Sequence, residues 1–322
     1  MKRILRVAVS AALLFCILPV PSLAADFLIP VGEIIGLQLS DDTVTIAAYD
    51  DACGSVAKDA GLRIGDVITA VDGMPVTCAE DLRNAMQNHT GQITLSIRRG
   101  GKVLQVPISP KETAQGPRLG VYLKQGIAGI GTVTWYDPES SYFGALGHGV
   151  NDASGVLLNM TKGSAFETEI MAVKQGKCGD PGQLKGGADT LSLCGTLLRN
   201  TAQGVFGIHK GGWKGQPIPV ADYEDIQIGP AKIRSTVSNA GPQEYSVEIL
   251  KIYPEDRSDY RNFLIRVTDP ELLNCTGGIV QGMSGSPIIQ DGKLVGAVTH
   301  VLVNDPTRGY GIFIENMLDA AE

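Results

Sequence analysis

The stretch Gly282-Met283-Ser284-Gly285-Ser286-Pro287 decides how the rest of the sequence is interpreted. It places a serine in a tight glycine turn, which leads into a strand, an Asp291-Gly292 hairpin and a second strand. Glycines let a backbone bend sharply and direct N–H groups toward one point, where an oxyanion can form. The stretch therefore predicts a nucleophile at Ser284, and its simpler interpretation is a turn between two strands.

A serine needs an adjacent base at neutral pH, and histidine is the usual one. The best candidate is His148, because Gly147 and Gly149 leave room around it for a reacting group. His89 closes a predicted helix, and His209 and His300 lie in strand-like runs, so we interpret these three as structural or exposed. The pattern does not choose an orienting acid among the aspartates between base and nucleophile, namely Asp152, Asp180, Asp189, Asp222, Asp225 and Asp269.

The composition favours a mostly β protein of two domains, with 40 glycines and only 6% aromatic residues among 322. The formal charge is −7 and the basic residues are scattered, so no nucleic acid partner is predicted. Of six cysteines, Cys16 lies near the N-terminus, and the remaining five show no Cys-x-x-Cys spacing. We therefore predict neither a metal site nor a cofactor.

Residues 1–25 are predicted to be a signal peptide or a membrane anchor. Lys2, Arg3 and Arg6 form a basic start, residues 7–20 are mostly apolar, and Ser22-Leu23-Ala24 resembles a cleavage site. The chain is therefore predicted to be exported, and any association with a membrane would run through this N-terminus.

Residues 26–110 resemble a PDZ domain of the bacterial type. The resemblance rests on Ala60-Gly61-Leu62-Arg63-Ile64-Gly65-Asp66-Val67-Ile68 and Val71-Asp72-Gly73, followed by a capping box at Thr77-Cys78-Ala79-Glu80 and a helix over 79–88. PDZ domains add a peptide as an extra strand and hold its C-terminal carboxylate with loop N–H groups. By this resemblance Ile35, Gly36 and Leu37 would form that loop, binding partner C-termini or internal segments, unless the protein itself fills the groove.

Residues 111–118 are interpreted as a polar linker and residues 119–322 as a second domain. Many short strands with Gly, Pro and Asn turns follow one another there, which suits a β-barrel or a β-sandwich.

The turn around Ser284 resembles the Gly-Asp-Ser-Gly-Gly-Pro signature of chymotrypsin-like serine peptidases, with Met283 and Ser286 as departures. The whole chain is similar to the SpoIVB peptidase family. The motifs that carry this likeness are Gly129-Ile130-Gly131-Thr132, Phe143-Gly144-Ala145-Leu146-Gly147-His148-Gly149, Thr276 to Pro287, and Gly296-Ala297-Val298-Thr299-His300-Val301.

The resemblance implies a PDZ domain followed by a chymotrypsin-like double β-barrel. It also implies Ser284 as nucleophile, His148 as general base, Asp269 as orienting acid, and the N–H groups of Gly282 and Ser284 as oxyanion hole. Asp269 lies closer to the serine along the chain than the acid does in ordinary chymotrypsin-like enzymes.

Members of this family are secreted into the space between the two forespore membranes. They cleave a regulator of an intramembrane protease, which releases processing of a late sigma factor. The resemblance therefore implies an exported serine endopeptidase of a sporulation cascade, with self-cleavage near the leader or the linker.

Two other functions are compatible with parts of the sequence. A non-catalytic PDZ scaffold that binds partner C-termini would need no reactive Ser284. An α/β-hydrolase esterase would need Gly-x-Ser-x-Gly on a strand-to-helix turn with its histidine last, and neither condition holds here.

Overall fold

In a computed structural model, the described residues of the chain are 27–87, 91–152, 155–253 and 259–322, and no side chain is described for residues 188–191. The predicted leader and His89 lie outside the described residues. No helix within the described ranges is both long and apolar enough to cross a membrane.

Most of the elements are strands, and the few helices are short. In chain order they are β1 Phe27–Pro30, β2 Ile34–Ser40, β3 Val44–Tyr49, α1 Gly54–Asp59, β4 Val67–Val71, β5 Met74–Pro75, α2 Ala79–Gln87, β6 Ile93–Arg99, β7 Lys102–Ile108, β8 Lys111–Thr113, β9 Gly116–Arg118, β10 Val121–Lys124, β11 Ile127–Tyr136, β12 Tyr142–Ala145, β13 Lys162–Lys174, β14 Gln183–Thr201, β15 Gly204–His209, β16 Ile218–Pro219, a 3₁₀ turn Tyr223–Asp225, β17 Gly229–Ser235, β18 Gln243–Ile252, β19 Phe263–Val267, α3 Pro270–Thr276, β20 Pro287–Gln290, β21 Lys293–Leu302, β22 Asp305–Phe313 and α4 Ile314–Ala321.

Six antiparallel strands form a first barrel. Its order is β2-β11-β12-β15-β14-β13, and the pairing of β13 with β2 closes the ring. Strand β1 pairs with β11 next to the segment of β11 that pairs with β2. The other edge of β1 pairs with β16. Closing a sheet into a ring removes the open edges that would otherwise pair with other chains.

A second closed barrel has the order β17-β18-β19-β22-β21-β20. Asp291 and Gly292 join β20 to β21 with φ values of 49° and 79°. Two positive φ values at adjacent positions are those of the type I′ turn that fits the twist of a hairpin, so the predicted hairpin is confirmed. The fold is mostly β, with two barrels and a PDZ domain, as predicted.

The PDZ domain is built around the sheet β10-β3-β4-β6-β7, with β5 paired to β4. It has a hydrophobic core of its own, in which Ile46, Ile68, Leu82 and Leu95 are buried. Asp66 of the recognised motif is 1% exposed and accepts a hydrogen bond from Arg99 Nε at 2.6 Å. The Gly-Asp pair of the motif is therefore a structural feature of this domain.

The helix cap of the PDZ domain differs in detail from the predicted capping box. Asp81, rather than Glu80, accepts from the backbone N–H of Thr77 at 2.9 Å and from its hydroxyl at 2.7 Å. These hydrogen bonds from Thr77 lower the pKa of Asp81 to about 2.

The PDZ domain is an insertion within the first barrel, which corrects the predicted boundaries. Strands β1 and β2 precede it but belong to the barrel, and the chain returns to the barrel at β11. The predicted linker forms the β8–β9 hairpin, after which β10 pairs with β3 inside the PDZ sheet.

Ile35, Gly36 and Leu37 therefore do not form the PDZ loop. They lie in the middle of β2, paired on one side with Gly131, Ile130 and Gly129 and on the other with Glu167, Phe166 and Ala165. Because neighbouring strands occupy both edges, no peptide can add there.

Candidate active site

His148 follows the last residues of β12 through a left-handed turn. Leu146 has a φ of 71° and Gly147 a φ of 68°. A leucine in this region is sterically strained by about 1–2 kcal/mol. The strain is held by the surroundings, because the Leu146 side chain is buried and its N–H donates to Thr132 O at 3.1 Å.

The two glycines beside His148 serve close packing rather than open space. A Cβ on Gly147 would come within 3.0 Å of Ile312 and Thr299 side-chain carbons, and a Cβ on Gly149 would meet Thr201 O at 2.5 Å. The sequence suggested that Gly147 and Gly149 leave room for a reacting group. In the structure these glycines instead let the loop that carries His148 pack closely against its neighbours.

The His148 ring is held by a backbone carbonyl. Its Nδ1 lies 2.9 Å from Gly149 O, so a proton on Nδ1 satisfies this contact and leaves Nε2 as an acceptor. Burial lowers the pKa of His148, and the hydrogen bond with Gly149 offsets part of that effect. The ring is therefore neutral at neutral pH, which is the form a general base requires.

Ser284 stands in a turn that ends at β20, between two glycines of positive φ, 101° at Gly282 and 96° at Gly285. Its Oγ donates to Thr299 O at 2.6 Å. The two departures from the chymotrypsin signature have structural reasons. The Met283 side chain is buried in the core of the second barrel, and Ser286 Oγ donates to Ser235 Oγ at 3.0 Å.

The N–H groups of Gly282 and Ser284 differ from the neighbouring N–H groups of the turn in their hydrogen bonding. The intervening and following N–H groups are bonded, Met283 to Val280 O, Gly285 to Val298 O and Ser286 to Met283 O. Within the described ranges neither Gly282 N–H nor Ser284 N–H donates to a backbone carbonyl. These are the two groups that the sequence suggests for the oxyanion hole.

One cleft of ≈ 440 Å³ brings the predicted nucleophile and base together. It is lined by Ser284 and Gly282 from the second barrel, by His148 and Gly149 from the first, and by apolar side chains that include Leu37, Ile130 and Val301. Strand β2 thus contributes to the cleft through Leu37, the residue that the sequence assigned to the PDZ loop.

Asp269 is not brought to His148. It caps helix α3, where its Oδ1 accepts from Glu271 N at 3.0 Å and Leu272 N at 3.2 Å, and its Oδ2 accepts from Ser246 N at 3.2 Å. Of the other candidates, Asp180 and Asp225 form exposed ion pairs with Lys174 and Lys293. His148 Nδ1 instead contacts the Gly149 carbonyl.

His300 is the site residue that sequence reasoning missed. Its ring centroid lies 5.1 Å from that of His148, and it lines the same cleft. Desolvation, followed by the charge of His148, lowers the pKa of His300 to about 4. Its signal in the sequence was its place in Gly296-Ala297-Val298-Thr299-His300-Val301, one of the motifs that carry the family resemblance. His209, by contrast, stacks on Trp213 and accepts from Gly212 N at 2.7 Å, a structural role as expected.

The site has the arrangement of a chymotrypsin-like serine peptidase, in which each of two barrels supplies one reacting side chain. The SpoIVB peptidase S55 family model matches residues 115–318, and a PDZ domain model matches residues 53–99. The chain belongs to the SpoIVB peptidase S55 family and is by family a serine peptidase with a PDZ domain.

Curated relatives cover parts of the chain. A protein of Agrobacterium fabrum, named as a zinc metalloprotease, is 27% identical over 67% of this chain and 58% of its own length. Another of that description, from Rhizobium meliloti, is 30% identical over 34% of this chain and 30% of its own length. The chain thus spans less than two thirds of these relatives.

Two solved structures are also similar. The HtrA-type protease AlgW with a decapeptide is 11% identical with a TM-score of 0.37, covering 65% of this chain and 57% of that one. The active form of the Rv3671c protease from M. tuberculosis is 13% identical with a TM-score of 0.32, covering 62% and 73%.

The names of the curated relatives include zinc, but the described residues of this chain provide no set of zinc ligands. Among the residues the structure describes, no three His, Cys, Asp or Glu side chains are grouped so that they could hold a metal ion. The described site therefore does not fit zinc, and no chemistry is assigned to a metal.

Proposed function

We propose that this chain is an exported serine endopeptidase with Ser284 as nucleophile and His148 as general base. The observation that carries the proposal is the cleft that Ser284, His148 and Gly282 line together. Among the described residues the N–H groups of Gly282 and Ser284 donate to no backbone carbonyl. The family of the chain supports the same chemistry.

The reaction begins with a rotation of the serine hydroxyl. Ser284 Oγ leaves Thr299 O, passes its proton to His148 Nε2 and attacks the scissile carbonyl carbon. The carbonyl oxygen becomes an oxyanion bound by Gly282 and Ser284 N–H groups, and loss of one such donor costs about 10²–10³ in rate. The proton then passes from His148 to the leaving amine, and water releases the acyl group by the reverse sequence.

The PDZ domain would bind the peptide at a different edge from the one that the sequence suggested. Strand β10 ends its sheet, and a groove of ≈ 480 Å³ lies between β10 and helix α2. Leu82, Met86 and Leu119 line it as buried apolar side chains, and Arg83 and Arg118 lie beside them. An extended peptide with an apolar end and a carboxylate suits such a groove.

The substrate and place of action follow the family resemblance. We propose cleavage of a regulator of an intramembrane protease in a sporulation signalling cascade, after export into the space between the forespore membranes. Membership of the SpoIVB family supports this role. We propose self-cleavage as well, on the ground that a peptidase of this kind meets its own leader first.

The test of peptidase activity is labelling of residues 26–322 by a fluorophosphonate probe, followed by intact mass over time. The wild type should take one probe molecule, and Ser284→Ala should take none, since it lacks the attacking oxygen. Ser286→Ala is the matched control, because it removes a hydroxyl of the same turn that bonds Ser235 outside the cleft. Equal labelling of wild type and Ser284→Ala would contradict the proposal, and capture of peptides without labelling would favour the scaffold function.

A further inference from the structure

Thr132, in the middle of β11, makes hydrogen bonds to both halves of the site. Its side chain is fully buried. Its N–H donates to Ser284 O at 3.0 Å, its hydroxyl donates to Gly282 O at 2.7 Å, and its carbonyl accepts from Leu146 N at 3.1 Å. One residue of the first barrel thus contacts the nucleophile turn of the second barrel and the loop that carries His148.

These bonds act on the peptide planes of the nucleophile turn. Four consecutive carbonyls are bonded, Gln281 by Leu184 N, Gly282 by the Thr132 hydroxyl, Met283 by Ser286 N and Ser284 by Thr132 N. Since the C=O and N–H of a trans peptide point in opposite directions, fixing a carbonyl also fixes the direction of the following N–H. Thr132 supplies two of these four restraints, on the planes that carry the N–H groups of Met283 and Gly285. The planes between them and before them, which carry the Ser284 and Gly282 N–H groups, are restrained by Ser286 N and Leu184 N.

The approach of Thr132 to the turn is close enough to constrain the sequence there. A Cβ added to Gly285 would lie 2.0 Å from Thr132 O and 2.5 Å from Leu146 N. The glycine that follows the nucleophile therefore permits this contact between the two barrels.

We propose that Thr132 is a positioning residue, whose hydroxyl holds the Ser284 turn in place against the loop that carries His148. This inference rests on the proposed peptidase function for its catalytic consequence, whereas the structural restraint itself does not depend on catalysis. A displacement of about 1 Å in such a site can cost on the order of 100-fold in rate.

The test compares Thr132→Val, which removes the hydroxyl at nearly constant shape, with Thr132→Ser, which keeps it. The matched control is Thr134→Val on the same strand. Thr134 is also fully buried, but its hydroxyl has no hydrogen-bond partner among the described residues. The readouts are the fluorophosphonate labelling rate and hydrogen exchange of a peptic fragment spanning residues 279–287, with thermal unfolding measured alongside.

Thr132→Val should label about 10- to 100-fold more slowly and exchange faster in the 279–287 fragment. Thr132→Ser and Thr134→Val should match the wild type in both readouts. Labelling and exchange that are the same in Thr132→Val as in Thr134→Val would overturn the inference. If the wild type itself takes no probe, the peptidase function fails, and the exchange pattern alone then supports or overturns the restraint.

Discussion

Ser284 and His148 each have a hydrogen-bond partner other than one another. The serine hydroxyl is bonded to a strand carbonyl, and the imidazole is oriented by the carbonyl of the next residue rather than by a carboxylate. A carbonyl can select the tautomer, but it carries no charge to stabilise the imidazolium that forms when the serine is deprotonated. We therefore expect His148 to act as a base whose pKa lies below that of an ordinary histidine.

This arrangement predicts the pH dependence of labelling. The ordinary histidine pKa is about 6.5, and burial lowers that of His148. Because only neutral imidazole accepts the proton, the fluorophosphonate labelling rate should rise with pH with a midpoint below about 6.5.

His300→Gln is the control for this profile. Burial, followed by the charge of His148, lowers the pKa of His300 to about 4, so a midpoint above that pH that is set by His148 should stay in place in His300→Gln. A wild-type midpoint above about 6.5 would instead indicate a negatively charged partner for His148.

At single positions the sequence could single out Ser284 and His148, which the structure places in one cleft, because their signals are local. The role of Asp269 shows the limit of this approach. Asp269 is followed by Pro270, and an aspartate before a proline is also the signature of a helix start. The family motif and the capping pattern coincide at this residue, and the structure shows the capping hydrogen bonds.

Among the elements, β10 and β2 show why pairing is harder to predict than strand formation. Both strands are short and largely apolar. Strand β2 contains Gly36, and strand β10 directly follows Gly120. The Asp291-Gly292 hairpin could be predicted because its partners are adjacent in sequence. The partners of β2 and β10 are set by contacts with residues far along the chain, which no local pattern encodes.

The relocated PDZ groove can be tested with peptides at the element scale. A pool of fluorescein-labelled octapeptides ending in Leu with a free carboxylate should bind, and the same pool with amidated ends should bind more weakly. Met86→Glu should reduce binding at least about tenfold, because it places an unpaired charge in an apolar groove. Met74→Glu is the control, since Met74 is exposed elsewhere in the domain.

Fluorescence anisotropy measures both variants in the full chain with Ser284→Ala, so that the peptides stay intact. Equal affinity of Met86→Glu and Met74→Glu would place the peptide elsewhere.

At the scale of the whole molecule, the insertion changes which parts of the chain can fold alone. Strand β2 supplies four buried apolar side chains. Ile35, Leu37 and Leu39 lie in the core of the first barrel, and Ile34 lies in the core of the second. Burial of each contributes about 1.5–3 kcal/mol, so their loss removes about 6–12 kcal/mol. A whole domain is stable by only about 5–15 kcal/mol.

A chain that begins at residue 119 should therefore not fold cooperatively, although the family model matches from residue 115. A chain in which a glycine-rich turn replaces residues 42–125 should keep both barrels, because β2 and β11 then become a simple hairpin. Denaturant unfolding followed by circular dichroism, together with probe labelling, distinguishes the two. Cooperative unfolding and labelling of the chain that begins at 119 would contradict the insertion topology.

The insertion also sets a timetable for synthesis. Strand β2 must wait for residues 41–126 before its partner β11 appears, whereas β22, which pairs with β19 and β21, follows the other strands of both barrels. Ribosomes add about 5–20 residues per second, so the PDZ domain has seconds in which to fold before either barrel can close. The cleft that holds Ser284 cannot be assembled until β22 has joined the second barrel, and a nascent chain that lacks β22 is thereby protected from its own chemistry.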